Sequence, residues 1–571
     1  MTPWEKVNRA LVAKAIGELL FEEVLSAQDC GEGRFRLELA SGVHYHFHAE
    51  FGAWGHLWVA PESLLRSPGS EVRAAQFFRD SLTETQMSEV TLGTFLEELQ
   101  STLHADLQLA SHPALSRTAL LTLSPLEREQ RLPGHPKLLL NKGRLGWGLS
   151  DLRSYAPEYG ARFQLRWVLV QRSETKGLAR EDFDRKAVVA TSFHGAERSA
   201  LEAQLKAYPD DLWELMPVHP WQWDRIVSLQ FHEFIVKGVL VDLGLRGDLY
   251  APQTSLRTLS NLTRPHEADI KLPLSILNTS CVRGLPQRYL EATPIFAEEL
   301  QALCLQDPEL SSVRALREHK TLGVRHPDFH ALKQVAYRYQ ESLGAIWRQS
   351  TASLVQTDEE ILVTAALLET AKNGQTLLSA LAEQAQLTTQ EWLEEYTRAI
   401  IVPLYHLQLN YGVGVVAHGQ NIVLRMHQGV PVGLVLKDYH GDVRLSNEHQ
   451  AMHQRYFPGS HDRLPQLPPE HLIHDLITGH FITMLRFLSR RLALSGAIEE
   501  KIFYHTIAQG LADYHARHPE LASDRVNLLA PSFQRVLVNK VRFHIGYGDG
   551  AARPLPLLGS DLPNPLREGA L

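Results

Sequence analysis

Cysteine is scarce in this chain: Cys30, Cys281 and Cys304 are the only three in 571 residues. They form no metal-ligand spacing and no even-numbered disulfide framework, which excludes a disulfide-stapled scaffold and points to a reducing compartment. Long apolar runs are missing too. No stretch approaches the ~18 residues of a membrane span. The opening "MTPWEKVNRALVAKAIGELLFEEVL" also has no signal-peptide core, so a cytoplasmic location away from membranes is expected. Neither sign of charge dominates, since 57 Lys and Arg against 65 Asp and Glu leave a net charge of −8. That gives no electrostatic footprint for nucleic acid, so any anionic ligand must be gripped by local cations. Internal repeats and low-complexity tracts are absent as well.

What is present is ordinary globular material, 44% hydrophobic and 21% charged, in a chain long enough for roughly three to four domains. The first stretch reads as an amphipathic helix with Val7, Leu11, Ile16, Leu19 and Leu20 on one face. "RFRLELASGVHYHFHAEF" reads as a hairpin in which Phe35, Leu37 and Leu39 alternate with polar residues, as do Val43, Tyr45 and Phe47. Its other face carries His44, His46 and His48, which read as solvated and stand outside any site. Residues 86 to 131 look mostly helical. "TTQEWLEEYTRAIIVPLYHLQLNYG" opens the last region with a capping box, Thr388 to Glu391, and an apolar stripe through Trp392, Tyr396, Ile400 and Leu404. Pro403 is expected to kink that helix. Strands follow over 413 to 446, then a Pro-rich loop at 464 to 469, a long helix from about 471 and an extended tail over the last 20 residues. The fold class is α+β and multidomain, with boundaries expected at 1–130, 131–385 and 386–571.

Four stretches carry chemistry. "GHPKLLLNKGRLGWG" brings His135, Lys142 and Arg144 among glycines that permit close backbone approach. It holds no G-x-x-x-x-G-K-[ST] phosphate loop, and taken alone such a basic glycine-rich stretch is more often just a loop. "PVHPWQWDRI" wedges His219 and Gln222 between prolines and indoles, and reads as a packed corner. "APQTSLRTLSN" and "DIKLPLSILNTSCVRGLP" supply Ser255, Arg257, Thr258, Lys271, Thr279, Ser280 and Arg283. A lysine in an apolar strand is costly to bury unless an anion neutralises it, so this set suits a polyanion, either a triphosphate or a polycarboxylate. "VVAHGQNIVLRMHQGVPVGLVLKDYHGDVRL" supplies His418, Gln420, Asn421, Lys437, Asp438 and Asp442. Asn421 and Asp438 are hard oxygen ligands of the kind that hold Mg²⁺ on nucleotide phosphates, with Asp442 as the reserve. An Asn followed some 17 residues later by an Asp is also how protein kinases hold their metal. His418, three residues before Asn421, would act as base or as donor to an oxyanion.

In "GHPxxxxxKxRxG", "HPWQ", "SxRT", "KLPLSILNTSCVRG" and "AHGQN…KDxxGD" the chain resembles the siderophore synthetases that work without a nonribosomal peptide synthetase, over essentially its full length and in motif order. The resemblance implies a thumb, fingers and palm architecture whose C-terminal palm is distantly kinase-like, with ATP and Mg²⁺ in the cleft. It implies that a citrate-type carboxylate attacks the α-phosphate of ATP, and that an amine or hydroxyl then displaces AMP. It places Ser255, Arg257, Thr258, Lys271 and Arg283 at the phosphates, with His135, Lys142, Arg144 and Gln420 on the ATP side. Asn421 and Asp438 would hold Mg²⁺, while Thr279, Arg283 and His418 would face the carboxylate. It also implies small-molecule partners, a monosubstituted citrate and an amine such as N6-acetyl-N6-hydroxylysine, with homodimers common. Two departures, Leu138-Leu139 in place of a second His-Pro and Val416 in place of an acidic residue, count against free citrate as the substrate. A ferric-siderophore-binding or reductase-like protein is the opposing reading. It needs a C-terminal cysteine cluster, and every cysteine lies at or before position 304. A kinase is the third reading, separated from a ligase by its product, ADP rather than AMP and pyrophosphate.

Overall fold

The computed structural model describes residues 1–279, 281–523, 525–547 and 557–567, so Ser280 lies outside the described residues. The first helix, Pro3–Phe21, starts where expected because Thr2 and Glu5 cap it reciprocally. Val7, Leu11, Ile16 and Leu19 are buried, and Leu20 is half-buried. The hairpin pairs Arg34–Glu38 with His44–Phe51 in the register Phe35↔Phe47 and Leu37↔Tyr45. His46 and His48 are exposed and His44 is half-buried, as a solvated face requires. Helix Glu89–Ala110 covers this sheet, and so does Phe543 from helix Val538–Ile545, so the two ends of the chain share one apolar core.

A buried set of charges locks that core to the loop after residue 132. Lys137 Nζ lies 2.9 Å from Glu18 and 2.7 Å from Glu22. Arg486 reaches Glu18 at 2.6 Å, and Asn539 donates its backbone N–H and its amide to Glu22. Leu139 N–H in turn donates to Asn539 Oδ1 at 3.1 Å. Charges this deep persist only as matched, hydrogen-bonded sets.

The middle of the chain builds an eight-stranded antiparallel sheet with Asp269–Lys271 between Thr258–Asn261 and Gly344–Arg348. The register pairs Thr258 with Lys271 and Lys271 with Ile346. Pro273 has no N–H to continue the ladder, and the chain leaves into a ribbon of Leu274–Asn278 with Cys281–Arg283.

The last region begins with helix Thr389–Tyr396, capped by Thr388 and Glu391 with the expected stripe buried. Pro403 is accommodated by a π-helical turn over Thr397–Ile401 that precedes helix Val402–Tyr411. The wider turn relieves the ring's clash with the preceding carbonyl. Strands Ile422–His427 and Val430–Leu436 form a sheet with Glu359–Val363 and Val313–Ala315, both drawn from the middle of the chain. Val413–Val415 and Val443–Ser446 pair separately. The long helix is present but interrupted by a π-helical segment, Ile477–Leu485. Within the expected extended tail, Leu557–Pro563 pairs as a strand with Ser532–Leu537. Among the described residues no helix is long and apolar enough to cross a membrane.

Candidate active site

A cleft of about 270 Å³ opens between the middle sheet and the last region. Its walls include His135, Ser255, Arg257, Lys271, Thr279, Arg283, His418, Gln420, Asn421, Asp438 and Asp442. Eleven candidates spread over 308 positions of sequence therefore meet in one place.

Local backbone explains the grouping. Leu256 sits at φ +68°, forcing a tight turn between Ser255 and Arg257 while its own side chain is buried. Gln253 N–H donates to Thr258 O at 2.8 Å, and Thr258 N–H to Ser255 Oγ at 3.2 Å. Thr279 at φ +46° and Asp438 at φ +66° are likewise left-handed. Three such non-glycine residues in or beside one cleft mark strain held in place by the surrounding fold. Arg257 donates to Gly284 O. Arg283 Nε and Asn278 Oδ1 are buried with no hydrogen-bond partner among the described residues. The unpaired Arg283 N–H would be satisfied by an anionic group of a ligand, and the Asn278 oxygen by a hydroxyl or N–H donor.

At the floor, Asp438 lies 2.7 Å from Lys271 and 3.0 Å from Arg348. Burial opposes its charge, yet Lys271, Arg348 and Lys437 hold its carboxyl well below the usual carboxylate range. Burial brings the Lys271 ammonium down. Arg348, 1% exposed, also approaches Asp269 at 3.6 Å. The Asn421 amide donates to Val416 O at 3.0 Å and to Asp442 Oδ2 at 3.2 Å. Both of its N–H groups are thus used, which leaves Oδ1 as its free ligand atom. Two carboxylates and one amide fit a hard cation, but they are too few for magnesium's six oxygens, so phosphate and water would complete the shell.

His418 Nδ1 accepts from Gln420 N–H at 3.3 Å, and His135 Nδ1 accepts from Leu138 N–H at 3.2 Å. Their ring centroids are 6.2 Å apart. Burial lowers both pKa values, His135 well below its ordinary range. Both rings are neutral at pH 7, and the hydrogen-bond network assigns the proton to Nε2 in each.

Three expected site residues stand outside the cleft. Lys142 is neutralised by Asp106 at 2.7 Å, and Arg144 is paired through both arms with Glu158. Both cations are buried, and each has found a carboxylate that local sequence does not reveal. Thr258 sits behind the turn, its Oγ1 buried and without a hydrogen-bond partner among the described residues. His219 and Gln222 form the expected packed corner. His219 stacks edge-on against Tyr155 and Phe163, and burial pushes its pKa down to about 3. Gln222 exchanges hydrogen bonds of 2.8 Å with Ser275 and so braces the ribbon that carries Thr279. Sequence reasoning missed Arg348 and Asn278. The signal for Arg348 was there: an arginine ending the apolar strand "GAIWR" raises the same question as Lys271.

A second cavity of about 340 Å³ adjoins the first at Gln253–Thr254 and Lys437–Asp438. Its walls combine aliphatic side chains, among them Leu262, Ile361, Val363 and Val423, with the polar Gln253, Ser260 and Asn261 and the charged Arg128, Glu129, Asp269 and Lys437.

An α+β multidomain body holding this polar cleft is shared with solved siderophore synthetases. The solved aerobactin synthetase IucC of a hypervirulent Klebsiella pneumoniae pathotype superposes with a TM-score of 0.88 at 36% identity, covering 99% of this chain and 98% of that one. The ATP-bound aerobactin synthetase IucA of the same source shares the fold with a TM-score of 0.76 at 19% identity, covering 98% and 99%. The aerobactin synthase of Escherichia coli is 38% identical over 99% of this chain and 98% of its own length. The IucA / IucC family model matches residues 124–369, and the model of the ferric iron reductase FhuF-like transporter matches residues 390–550. The chain belongs to the IucA / IucC family.

Proposed function

We propose that the protein is an ATP-dependent ligase of aerobactin-type siderophore synthesis, joining a carboxylate of a citrate derivative to an amine such as N6-acetyl-N6-hydroxylysine. The observation that carries this reading is one cleft holding three cations, Arg257, Lys271 and Arg283, beside the oxygen set of Asn421, Asp438 and Asp442 and the neutral His418. The relatives' names support the substrate class. The second cavity, part aliphatic and part polar, suits the nucleoside, with the triphosphate crossing into the first cleft past Lys437 and Asp438.

In the first step a carboxylate oxygen attacks the α-phosphorus and the bond to the β-phosphate oxygen breaks, releasing pyrophosphate and leaving an acyl-adenylate. Ser255, Arg257, Lys271 and Arg283 would bind the charge that develops on the phosphates. Asn421 Oδ1, Asp438 and Asp442 would hold Mg²⁺, which neutralises phosphate charge when bound. Lys271 would turn from Asp438 to the arriving phosphate, leaving that carboxylate held by Arg348 at Oδ1. In the second step the amine lone pair attacks the acyl carbon and the bond to AMP breaks; the amine proton leaves with the phosphate or to solvent. His418 Nε2–H supports a donor role to the acyl oxygen in both steps, since its Nδ1 is already engaged.

Purified protein with ATP, Mg²⁺, a panel of citrate monoamides and a panel of amines tests this. AMP, pyrophosphate and a new amide in the mass spectrum are expected. ADP as the nucleotide product would overturn the ligase reading in favour of a kinase.

A further inference from the structure

Lys437 is 4% exposed and lines the second cavity, while its neighbour Asp438 lines the first. Its backbone is fixed from two sides. Leu436 O accepts from Leu316 N–H at 2.9 Å and from Tyr439 OH at 2.9 Å, and Tyr439 is itself fully buried. Asp438 then turns the chain at φ +66°. Among the described residues, the four other lysines buried this deeply, Lys137, Lys142, Lys271 and Lys320, each meet a carboxylate at 2.6 to 2.9 Å. Lys437 does not. Three carboxylates, Asp438, Glu129 and Asp269, act on its ammonium through space only, and Arg348 opposes them. Each of the three is engaged elsewhere. Asp438 is held by Lys271 and Arg348. Glu129 accepts from Thr254 N–H at 2.7 Å and from its hydroxyl, and Asp269 accepts from the Gln253 amide at 2.9 Å. An uncompensated ammonium is costly to bury, so one that lines a cavity calls for an anion from outside the chain.

We propose that Lys437 is a catalytic residue whose ammonium binds the α-phosphate of the nucleotide, where it passes between the two cavities, through both half-reactions. The inference rests on the ligase reading above, with the nucleoside in the second cavity. It divides the cations into two groups. Arg257, Lys271 and Arg283 line the first cleft and face the phosphates that leave as pyrophosphate. Lys437 keeps the phosphate that remains. As the carboxylate oxygen attacks the α-phosphorus, charge builds on the α-phosphate oxygens beside the ammonium, and the bond to pyrophosphate breaks. When the amine later attacks the acyl carbon, the electron pair of the breaking C–O bond goes to the phosphate of AMP, and the same ammonium neutralises it. A substrate carboxylate is the other candidate anion. The phosphate is favoured because Lys437 lines the cavity assigned to the nucleoside, whereas Thr279, Arg283 and His418 line the first cleft.

The test is read without turnover. Calorimetry measures binding of AMP, adenosine and pyrophosphate to the full-length wild type and to Lys437→Met, which keeps an unbranched apolar side chain and removes the charge. The wild type is expected to bind AMP more tightly than adenosine, and the variant to lose roughly tenfold or more of that preference. Adenosine and pyrophosphate are expected to bind both proteins alike. Because an uncompensated buried charge is removed, Lys437→Met is expected to melt at or above the wild-type temperature. Its pyrophosphate exchange and amide formation should nevertheless both fall about 10²-fold. An AMP preference that is absent in the wild type, or unchanged in the variant, overturns the proposal. A lowered melting point with that preference unchanged would make Lys437 a structural residue. Weaker binding of the citrate derivative with AMP binding intact would also overturn it, by giving the ammonium to a carboxylate. Lys437→Gln repeats the comparison if the methionine variant does not fold. ADP as the product of the wild type would instead overturn the ligase reading, a separate outcome read from turnover.

Discussion

Lys271 and Asp438, 167 positions apart, meet at 2.7 Å on the floor of the cleft and join the middle sheet to the last region. Arg348 donates to the same carboxylate oxygen, Oδ1, at 3.0 Å.

Lys271→Ala and Arg283→Ala are expected to fold and to lose most of their turnover, about 10²-fold or more, by analogy with removal of one preorganised charge-stabilising donor. Arg348 keeps Asp438 paired when Lys271 is gone, and Arg283 Nε has no partner to lose among the described residues. Thermal melts and steady-state rates at saturating substrate check this. Near wild-type turnover in either variant would put the phosphates elsewhere.

Asn421→Ala and Asp438→Ala are expected to raise the Mg²⁺ concentration needed for half-maximal activity, with Asp442→Ala milder. Asp442 reaches the shared oxygen set from beside Asn421, whose amide it accepts at 3.2 Å. A Mg²⁺ titration of the three variants ranks them, and the reverse order would transfer the main metal role to Asp442.

His418→Ala is expected to depress both carboxylate-dependent pyrophosphate exchange and amide formation. A ring that is neutral and donates through Nε2 serves the acyl oxygen in each half-reaction, whereas a base for the amine would be needed only in the second. Exchange at the wild-type rate with amide formation lost would make His418 the base. Normal rates in both assays would leave it a structural residue.

Lys14 gives a pH signature of the fold. Burial brings its ammonium down to about 8 from an ordinary 10.5. Between those values the unfolded chain keeps a proton that the folded chain has released, so this group makes stability rise with pH across that window. Lys14→Met lacks the titration. Urea midpoints of the two proteins should therefore diverge from pH 8 to pH 10, with the wild type gaining relative to the variant. Parallel curves would mean that Lys14 titrates normally in the folded state.

Much of the architecture was legible because local signals dominate it. The hairpin's period of two, the Thr388–Glu391 capping box and the stripe from Trp392 to Leu404 are each written within a few residues. Most of the cleft was legible for a different reason, since a polar or charged residue in an apolar strand, such as Lys271, demands a partner. Lys142 and Arg144, read instead from a glycine-rich basic loop, pair with Asp106 and Glu158, which lie 36 and 14 positions away and carry no mark of the pairing. Neither the π-helical segment Ile477–Leu485 nor the pairing of Leu557–Pro563 follows from periodicity. Both depend on what packs beside them, the first on close approach to Ala417 and the second on an edge offered by Ser532–Leu537.

The buried charges around Lys137 carry a temporal consequence. A ribosome delivers Glu18, Glu22 and Lys137 early, and Asn539, which holds both Glu22 and Leu139, some 400 residues later. Arg486, the second cation on Glu18, also arrives late. During synthesis the two glutamates therefore share a single lysine, and the His135 loop is held only by its early partners, Lys14 on the His135 and Leu138 carbonyls and Asp106 on Lys142. The last anchors of that loop thus arrive after the rest of the cleft, so a lesion near residue 539 would be felt first at a loop built hundreds of codons before it.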